Sequence, residues 1–447
     1  MGQFLATFFS GSINRRIFRA SVTVAIISLC IKLAAMAKEM LVAWRFGVGD
    51  DLDAFNIALI VPFTLINIAA VSFLTAFIPT YVQVEQKDGA ESAHRLLSGA
   101  AILIFFVFTV TAILMLLLAP LYLPALARGF TPEKLNLTFH LLCILSPVIL
   151  LTGLNFLWGG VLNVKDQFAI VAATPIITTL LTVIFLVWAQ RFGIYALALA
   201  LTLGAAFELV VLTTVLHKTG VSLNFNWQPI SLPVHNIFRQ SFSLMVGNLL
   251  MSGTSLVSLG MAARLSTGSV SSLGYANKLI SLAAGLLSTS LGTATIPFFA
   301  KMSAGQDWRQ LKNSLHKFLL LAFALTIPIT LVLLLFATPL TNLLFKRGAF
   351  APENVSVVSS LLFYLALQVP FYVTAALVAK IFLALQAQKV ILVTSAINLT
   401  VHIIFTYWLT NKLGIIGVAI STSITYLGSF LMLYVWANRK INRLIGA

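Results

Sequence analysis

Residues 101–119 read Ala-Ile-Leu-Ile-Phe-Phe-Val-Phe-Thr-Val-Thr-Ala-Ile-Leu-Met-Leu-Leu-Leu-Ala, without a charge among them. A helix of about 20 such residues crosses the hydrocarbon of a bilayer, because each residue adds about 1.5 Å of rise. Runs of this kind recur. They place spans at 22–46, 54–83, 97–119, 136–160, 168–189, 193–216, 237–262, 272–299, 315–337, 356–385, 390–411 and 414–437. Each run is continuous rather than alternating in polarity, which points to helices and away from a barrel. Of the 447 residues, 60% are apolar and 9% charged, and the mean hydropathy is +1.01. A soluble surface needs far more charge than that. The expected fold class is an all-α polytopic membrane protein with about twelve transmembrane helices.

The formal charge is +16. In a soluble chain that balance would suggest nucleic acid. Here it reflects the gathering of Lys and Arg in cytoplasmic loops. With the N-terminus inside, the inner segments hold 16 basic residues and the outer segments 8, and the first outer segment carries Asp50, Asp51 and Asp53. Both termini are expected in the cytoplasm. Arg15, Arg16 and Arg19 resemble the charged region of a signal peptide, but the apolar stretch from Val22 runs too long and contains Lys32, Lys38 and Glu39, so it reads as a retained first span. Cys30 and Cys143 both lie in apolar runs, without metal-ligand spacing, and suggest no disulfide framework. No loop is long enough to form a soluble domain.

The halves repeat. Thr75-Ala76-Phe77-Ile78-Pro79 matches Thr293-Ala294-Thr295-Ile296-Pro297. Arg128-Gly129-Phe130-Thr131-Pro132-Glu133 matches Arg347-Gly348-Ala349-Phe350-Ala351-Pro352-Glu353, and Gly193-Ile194 matches Gly414-Ile415. Three matches in order, at an offset of 218 to 221 residues, indicate an internal duplication. Six spans per repeat give both halves the same topology, as in transporters that rock two bundles around a central cavity. The domains expected are an N-terminal bundle over 1–217, a cytoplasmic linker over 218–235 and a C-terminal bundle over 236–447.

Charge inside a bilayer is costly and normally faces a protein interior or a wet cavity. The first span carries Lys32, Lys38 and Glu39 on one broad helical face, with small alanines between them. The eighth carries Asn277 and Lys278 after Tyr275, and Asp53 stands at the outer start of the second. Lysines in a low-dielectric cavity attract a phosphate or pyrophosphate head group. The alternatives are a structural Lys38–Glu39 ion pair and snorkelling to an interface. Asn155, Asn163, Asn248 and Asn398 read as glue between helices, and Glu208 as structural or a cation site. No phosphate-binding glycine loop and no Ser/His/Asp grouping is present, so nucleotide hydrolysis by that route and acyl chemistry are not expected.

These residues resemble a known family. Lys32, Lys38-Glu39, Phe46-Gly47, Asp53-Ala54-Phe55 and Pro62 follow the opening of the MurJ/MviN family of the MOP exporter superfamily, with lysines where arginines are usual. Tyr275-Ala276-Asn277-Lys278-Leu279 resembles its Y-A-D-R-L, and Leu344-Phe345-Lys346-Arg347-Gly348-Ala349-Phe350 its L-F-x-x-G-x-F. The resemblance covers about 20 to 437. It implies a MATE-like pair of bundles and a flippase for an undecaprenyl-diphosphate-linked glycan, lipid II or a similar one, in the bacterial cytoplasmic membrane. Peptidoglycan synthesis, cell-envelope biosynthesis proteins as partners and the absence of a cofactor go with it; the coupling ion is left open. Lys32, Lys38 and Lys278 would hold the diphosphate, with Glu39 and Asp53 placing the lysines or gating, and Asn277 beside them. The chain departs from the family in its uncharged Ile60–Asn67 stretch, in Asn277, and in ending after twelve expected spans where many members have two more. An exopolysaccharide or O-antigen translocase is the near alternative; a cation-coupled drug exporter or a membrane glycosyltransferase is further away.

Overall fold

The structure, a computed structural model, describes the backbone of residues 12–221, 232–385 and 387–446. Sixteen helices and no strand are found among them: α1 (Ser12–Phe46), α2 (Asp50–Leu126), α3 (Pro132–Leu145), α4 (Pro147–Val164), α5 (Phe168–Ala173), α6 (Ile176–Val187), α7 (Ala189–Phe192), α8 (Tyr195–Lys218), α9 (Leu232–Ala262), α10 (Ser269–Ala304), α11 (Trp308–Leu335), α12 (Ala337–Phe345), α13 (Pro352–Ala366), α14 (Val369–Ala384), α15 (Gln388–Leu413) and α16 (Ile415–Gly446). The expected linker at 218–235 lies for the most part outside the described residues, as do the side chains of Arg15, Arg16 and Arg19.

Among the described residues, eight helical segments are long and apolar enough to cross a membrane, or nine when α13 and α14, bent by 40° at their break, count as one. The expectation was twelve. The difference has identifiable sources. α2 counts once although it holds two expected spans, and the side chains of the expected spans at 22–46 and 272–299 lie partly outside the described residues. The 77 residues of α2 would run for roughly 115 Å if straight, several times a hydrocarbon thickness. Its backbone breaks at Gly89, with φ 83° and ψ 173°, inside the polar stretch from Glu85 to Arg95. Large apolar side chains face outward, as lipid requires: Leu121 is 74% exposed, Val187 75%, Leu320 73% and Leu335 75%.

The chain divides into two compact units. Unit 1 comprises 1–42, 65–118 and 140–243, and unit 2 comprises 43–64, 119–139 and 244–447. In unit 1 small residues allow close helix approach. Gly153 lies under the Phe108 ring, Gly160 against Leu74 and Ile78, and Gly204 against Thr178. Asn155 Nδ2 donates to Ala205 O at 3.0 Å, and Trp158 Nε1 donates to Thr213 Oγ1 at 3.0 Å. The Thr178 hydroxyl donates to Glu208, and Lys165 pairs with Glu85. Unit 2 has an aromatic core that includes Phe299, Phe323, Phe371, Phe382 and Phe430. Unit 2 also holds two pieces of the first half, the turn from α1 to α2 and the turn from α2 to α3.

The duplication is visible in backbone geometry. Gly193 ends α7 with φ 55° and ψ −141°, and Gly414 ends α15 with φ 59° and ψ −140°. Each amide closes its helix by donating to the carbonyl four residues back, at 2.8 Å to Ala189 and 2.9 Å to Thr410. That conformation suits glycine alone. A Cβ on Gly414 would meet no atom within 4 Å, so dihedral preference rather than space is at stake there. Gly414→Ala is expected to destabilise the protein by about 1–3 kcal/mol. Gly428→Ala, inside α16 and also free of nearby atoms, should stabilise it by about 0.5–1 kcal/mol. Thermal unfolding in detergent tests the pair; shifts of the same sign would contradict the backbone argument.

Candidate functional site

Four turns meet at one end of unit 2. They are the α1–α2 turn (47–49), the α2–α3 turn (127–131), the α9–α10 turn (263–268) and the α12–α13 turn (346–351). At their centre lies Asp53, in the first turn of α2, with 1% of its surface exposed. Its Oδ2 accepts the Gly268 amide at 2.7 Å and the Lys134 ammonium at 3.0 Å, and its Oδ1 accepts the Ser271 amide at 2.7 Å. Gly268 immediately precedes α10, and Ser271 lies in its first turn. A carboxylate from the first half thus caps a helix of the second half, where unsatisfied amides and the positive end of the helix dipole favour an anion. Lys134 Nζ reaches Asp50 Oδ1 as well, at 2.6 Å, and stands 4.0 Å from the Phe130 ring centroid. The Thr267 hydroxyl donates to the same Asp50 oxygen at 3.1 Å.

Backbone contacts extend this knot. The Tyr275 hydroxyl donates to Gly47 O at 3.0 Å, and its ring packs on Phe345 and Phe350 with centroids 4.8 and 5.5 Å away. The Ala349 amide donates to Trp44 O at 2.9 Å. Gly47 and Gly348 hold φ of +58° and +59°. A Cβ on Gly47 would come within 2.2 Å of Ala349 O, and one on Gly348 within 2.3 Å of Trp44 O. Gly129, the duplicate of Gly348, presses on Ala263 O in the same way, at 2.5 Å. The F-G, D-A-F, Y-A-x-x-L and L-F-x-x-G-x-F residues therefore act together in binding segments of the first half to the second at this end.

The six residues singled out from the sequence divide between the units. Lys38 Nζ lies 2.8 Å from Glu39 Oε1, with both side chains largely buried, so these two neighbours form the ion pair that was one of the readings open for them. Lys32 is half-buried on the same helix, two turns earlier. All three belong to unit 1. Asp53, Asn277 and Lys278 belong to unit 2. Asp53 takes its cation from Lys134 rather than from a lysine within a span. Lys278 Nζ stands 5.3 Å from the Tyr275 ring centroid, close to the knot. Asn277 faces a cavity of about 360 Å³ in unit 2.

Two functional candidates escaped the sequence reading. Lys134 counted only as an outer-loop charge; its place two residues into the helix that Pro132 opens, after a duplicated R-G-x-F turn, is the signal that marks it. His402 is fully buried within α15. Its Nε2 is 2.9 Å from Ser258 Oγ and its Nδ1 3.1 Å from Thr425 Oγ1, while the Thr406 hydroxyl meets both the imidazole and Ser421. A histidine in the middle of an apolar run is itself a cue.

The helices share the fold of solved transporters of the MOP superfamily. A solved multidrug-resistance MATE-family transporter of the MOP superfamily, in an inward-facing conformation, superposes with a TM-score of 0.81 over 95% of this chain and 99% of its own, at 17% identity. A solved lipid II flippase MurJ, in an inward closed conformation, gives a TM-score of 0.82 over 93% and 87%, at 23% identity. The chain belongs to the family described as lipid II flippase MurJ, whose sequence model matches residues 42–446. Curated relatives include the lipid II flippase MurJ of Burkholderia cenocepacia, 27% identical over 77% of this chain and 68% of that protein. The probable lipid II flippase MurJ of Synechocystis is 25% identical over 97% and 83%.

Removing one member of a buried ion pair leaves the other charge uncompensated. Lys134→Met is expected to destabilise the protein by about 3 kcal/mol, read as a fall in the unfolding temperature in detergent. An unchanged midpoint would mean that the two backbone amides alone hold Asp53.

Proposed function

We propose that this chain translocates lipid II, or a closely similar undecaprenyl-diphosphate-linked glycan, from the inner to the outer leaflet of the bacterial cytoplasmic membrane. The observation that carries this reading is the convergence of four family motifs on one closed end. An alternating-access carrier must open and reseal such an end in each cycle. Its contacts suit that duty. They are numerous, and their polar members are hydrogen bonds and ion pairs that water can replace on opening. The turns involved are those expected on the outer face, with both termini in the cytoplasm on this reading.

The substrate's diphosphate would be held by Lys32, Lys38 and Lys278. Glu39 beside Lys38 fixes that ammonium and moderates the charge of its face, so that an anion binds without being trapped. No covalent step is required. The prenyl tail stays in lipid while the head group crosses, and the chain acts within the peptidoglycan pathway that makes and consumes its cargo.

Lys38→Ala and Lys278→Ala should each abolish flipping of fluorescent lipid II in proteoliposomes and complementation of a flippase-deficient strain, while the protein still inserts and purifies as a single species. Full complementation by both variants would remove the diphosphate role from these lysines.

A further inference from the structure

The cavity of unit 2 lies among α9, α10, the α13–α14 break and α16, and no charged side chain lines it. At about 360 Å³ it falls within the range of small-ligand pockets, roughly 300–1,000 Å³. Its polar lining is neutral. Ser255, Asn277, Ser281, Gln368, Tyr372 and Tyr426 all contribute. Among the described residues, no hydrogen bond engages the side chains of these six. Gln368 is the clearest case. It is only 4% exposed and occupies the 40° break between α13 and α14. Its backbone is fully engaged, the amide to Leu365 O at 3.1 Å and the carbonyl from the Tyr372 amide at 2.8 Å. Its side-chain amide, with two donors and an acceptor, is not.

Hydroxyls around His402 are bonded within the protein. Ser258, Thr406, Ser421 and Thr425, around His402, satisfy one another. A buried polar group without a partner costs free energy, most of all within a membrane span. Ser258, Thr254 and Thr422 also line the cavity and are bonded within the protein, so it is buried Gln368, with half-buried Asn277, Tyr372 and Tyr426 beside it, that offers polar groups to a ligand. Tyr372 and Tyr426 add ring faces, edge to face with centroids 5.1 Å apart.

A cavity without charge disfavours an ion. One rich in amides and hydroxyls, each able to donate and accept, favours a neutral polyhydroxyl group, and the tyrosine rings suit the C–H face of a pyranose. Asn277 faces the cavity while Lys278, the next residue on α10, lies a helical step away toward Tyr275. A ligand with neutral rings joined to an anionic diphosphate would match that order.

We propose that this cavity is the subsite for the sugar portion of the cargo, with Gln368 and Asn277 as its principal hydrogen-bonding residues and Tyr372 and Tyr426 as its stacking walls. The proposal rests on the flippase reading. Binding of two lipids to the purified full-length protein, measured by native mass spectrometry, tests it: lipid II, and undecaprenyl diphosphate, which lacks the sugars. The wild type is expected to bind lipid II more tightly. Gln368→Leu and Asn277→Leu should each weaken lipid II binding about tenfold, the loss of roughly one well-made hydrogen bond, and leave undecaprenyl diphosphate binding unchanged. Tyr372→Phe, which keeps the ring, should retain more lipid II affinity than Tyr372→Leu. Equal losses for both lipids in all variants, or no loss for either, would overturn the subsite. A wild type that binds neither lipid would instead overturn the flippase reading.

Discussion

The closed end of unit 2 depends on one buried carboxylate. Asp53 comes from the first half of the chain, and the helix it caps comes from the second. A fully desolvated carboxylate is tolerable only when its lone pairs are filled. Two backbone amides and one ammonium fill them here. The arrangement is demanding in a useful way. Asp53 cannot leave α10 without exposing the helix's amides as well as its own charge, so the contact is either made in full or exchanged in full for water.

Glycine performs the complementary steric work. Gly47, Gly129 and Gly348 let turns approach until backbone touches backbone, at distances that any Cβ would obstruct. The duplicated Arg-Gly turns are equivalent in this respect: each buries a phenylalanine, Phe130 or Phe350, and presses its glycine on a backbone carbonyl of another segment. The repeat has thus been put to one purpose twice. Polar groups, by contrast, are divided by purpose. Those around His402 close upon themselves, whereas the side chains of Gln368 and Asn277 at the cavity of unit 2 do not.

Much of this was legible in the sequence for plain physical reasons. Residues 101–119 cannot be anything but a membrane helix, because no soluble surface tolerates them. Gly193 and Gly414 announced the duplication, since a glycine after a helix end and before a β-branched residue marks a fixed backbone geometry. Asp53, Tyr275 and Gly348 were recognisable as motif residues. Their partners were not, because a carboxylate can cap any of a dozen helix ends and nothing in a one-dimensional pattern names α10. Lys134 was hidden for the same reason, and Gln368 because its significance lies in what it fails to contact. The number of spans was legible only as twelve apolar runs. Whether a run counts as a separate helix depends on breaks such as that at Gly89.

What the chain alone determined is therefore its solvent and its periodicity: apolar runs of bilayer length, a twofold repetition, and lysines within spans that demand a wet or anionic neighbour. These follow from free energies of transfer, which are properties of residues and short segments. Tertiary structure alone decided that Asp53 pairs with Lys134 and α10, and that Asn277 joins Gln368 and two tyrosines around a neutral cavity. Those outcomes depend on distances between residues tens to hundreds of positions apart, and such distances exist only once the helices have packed.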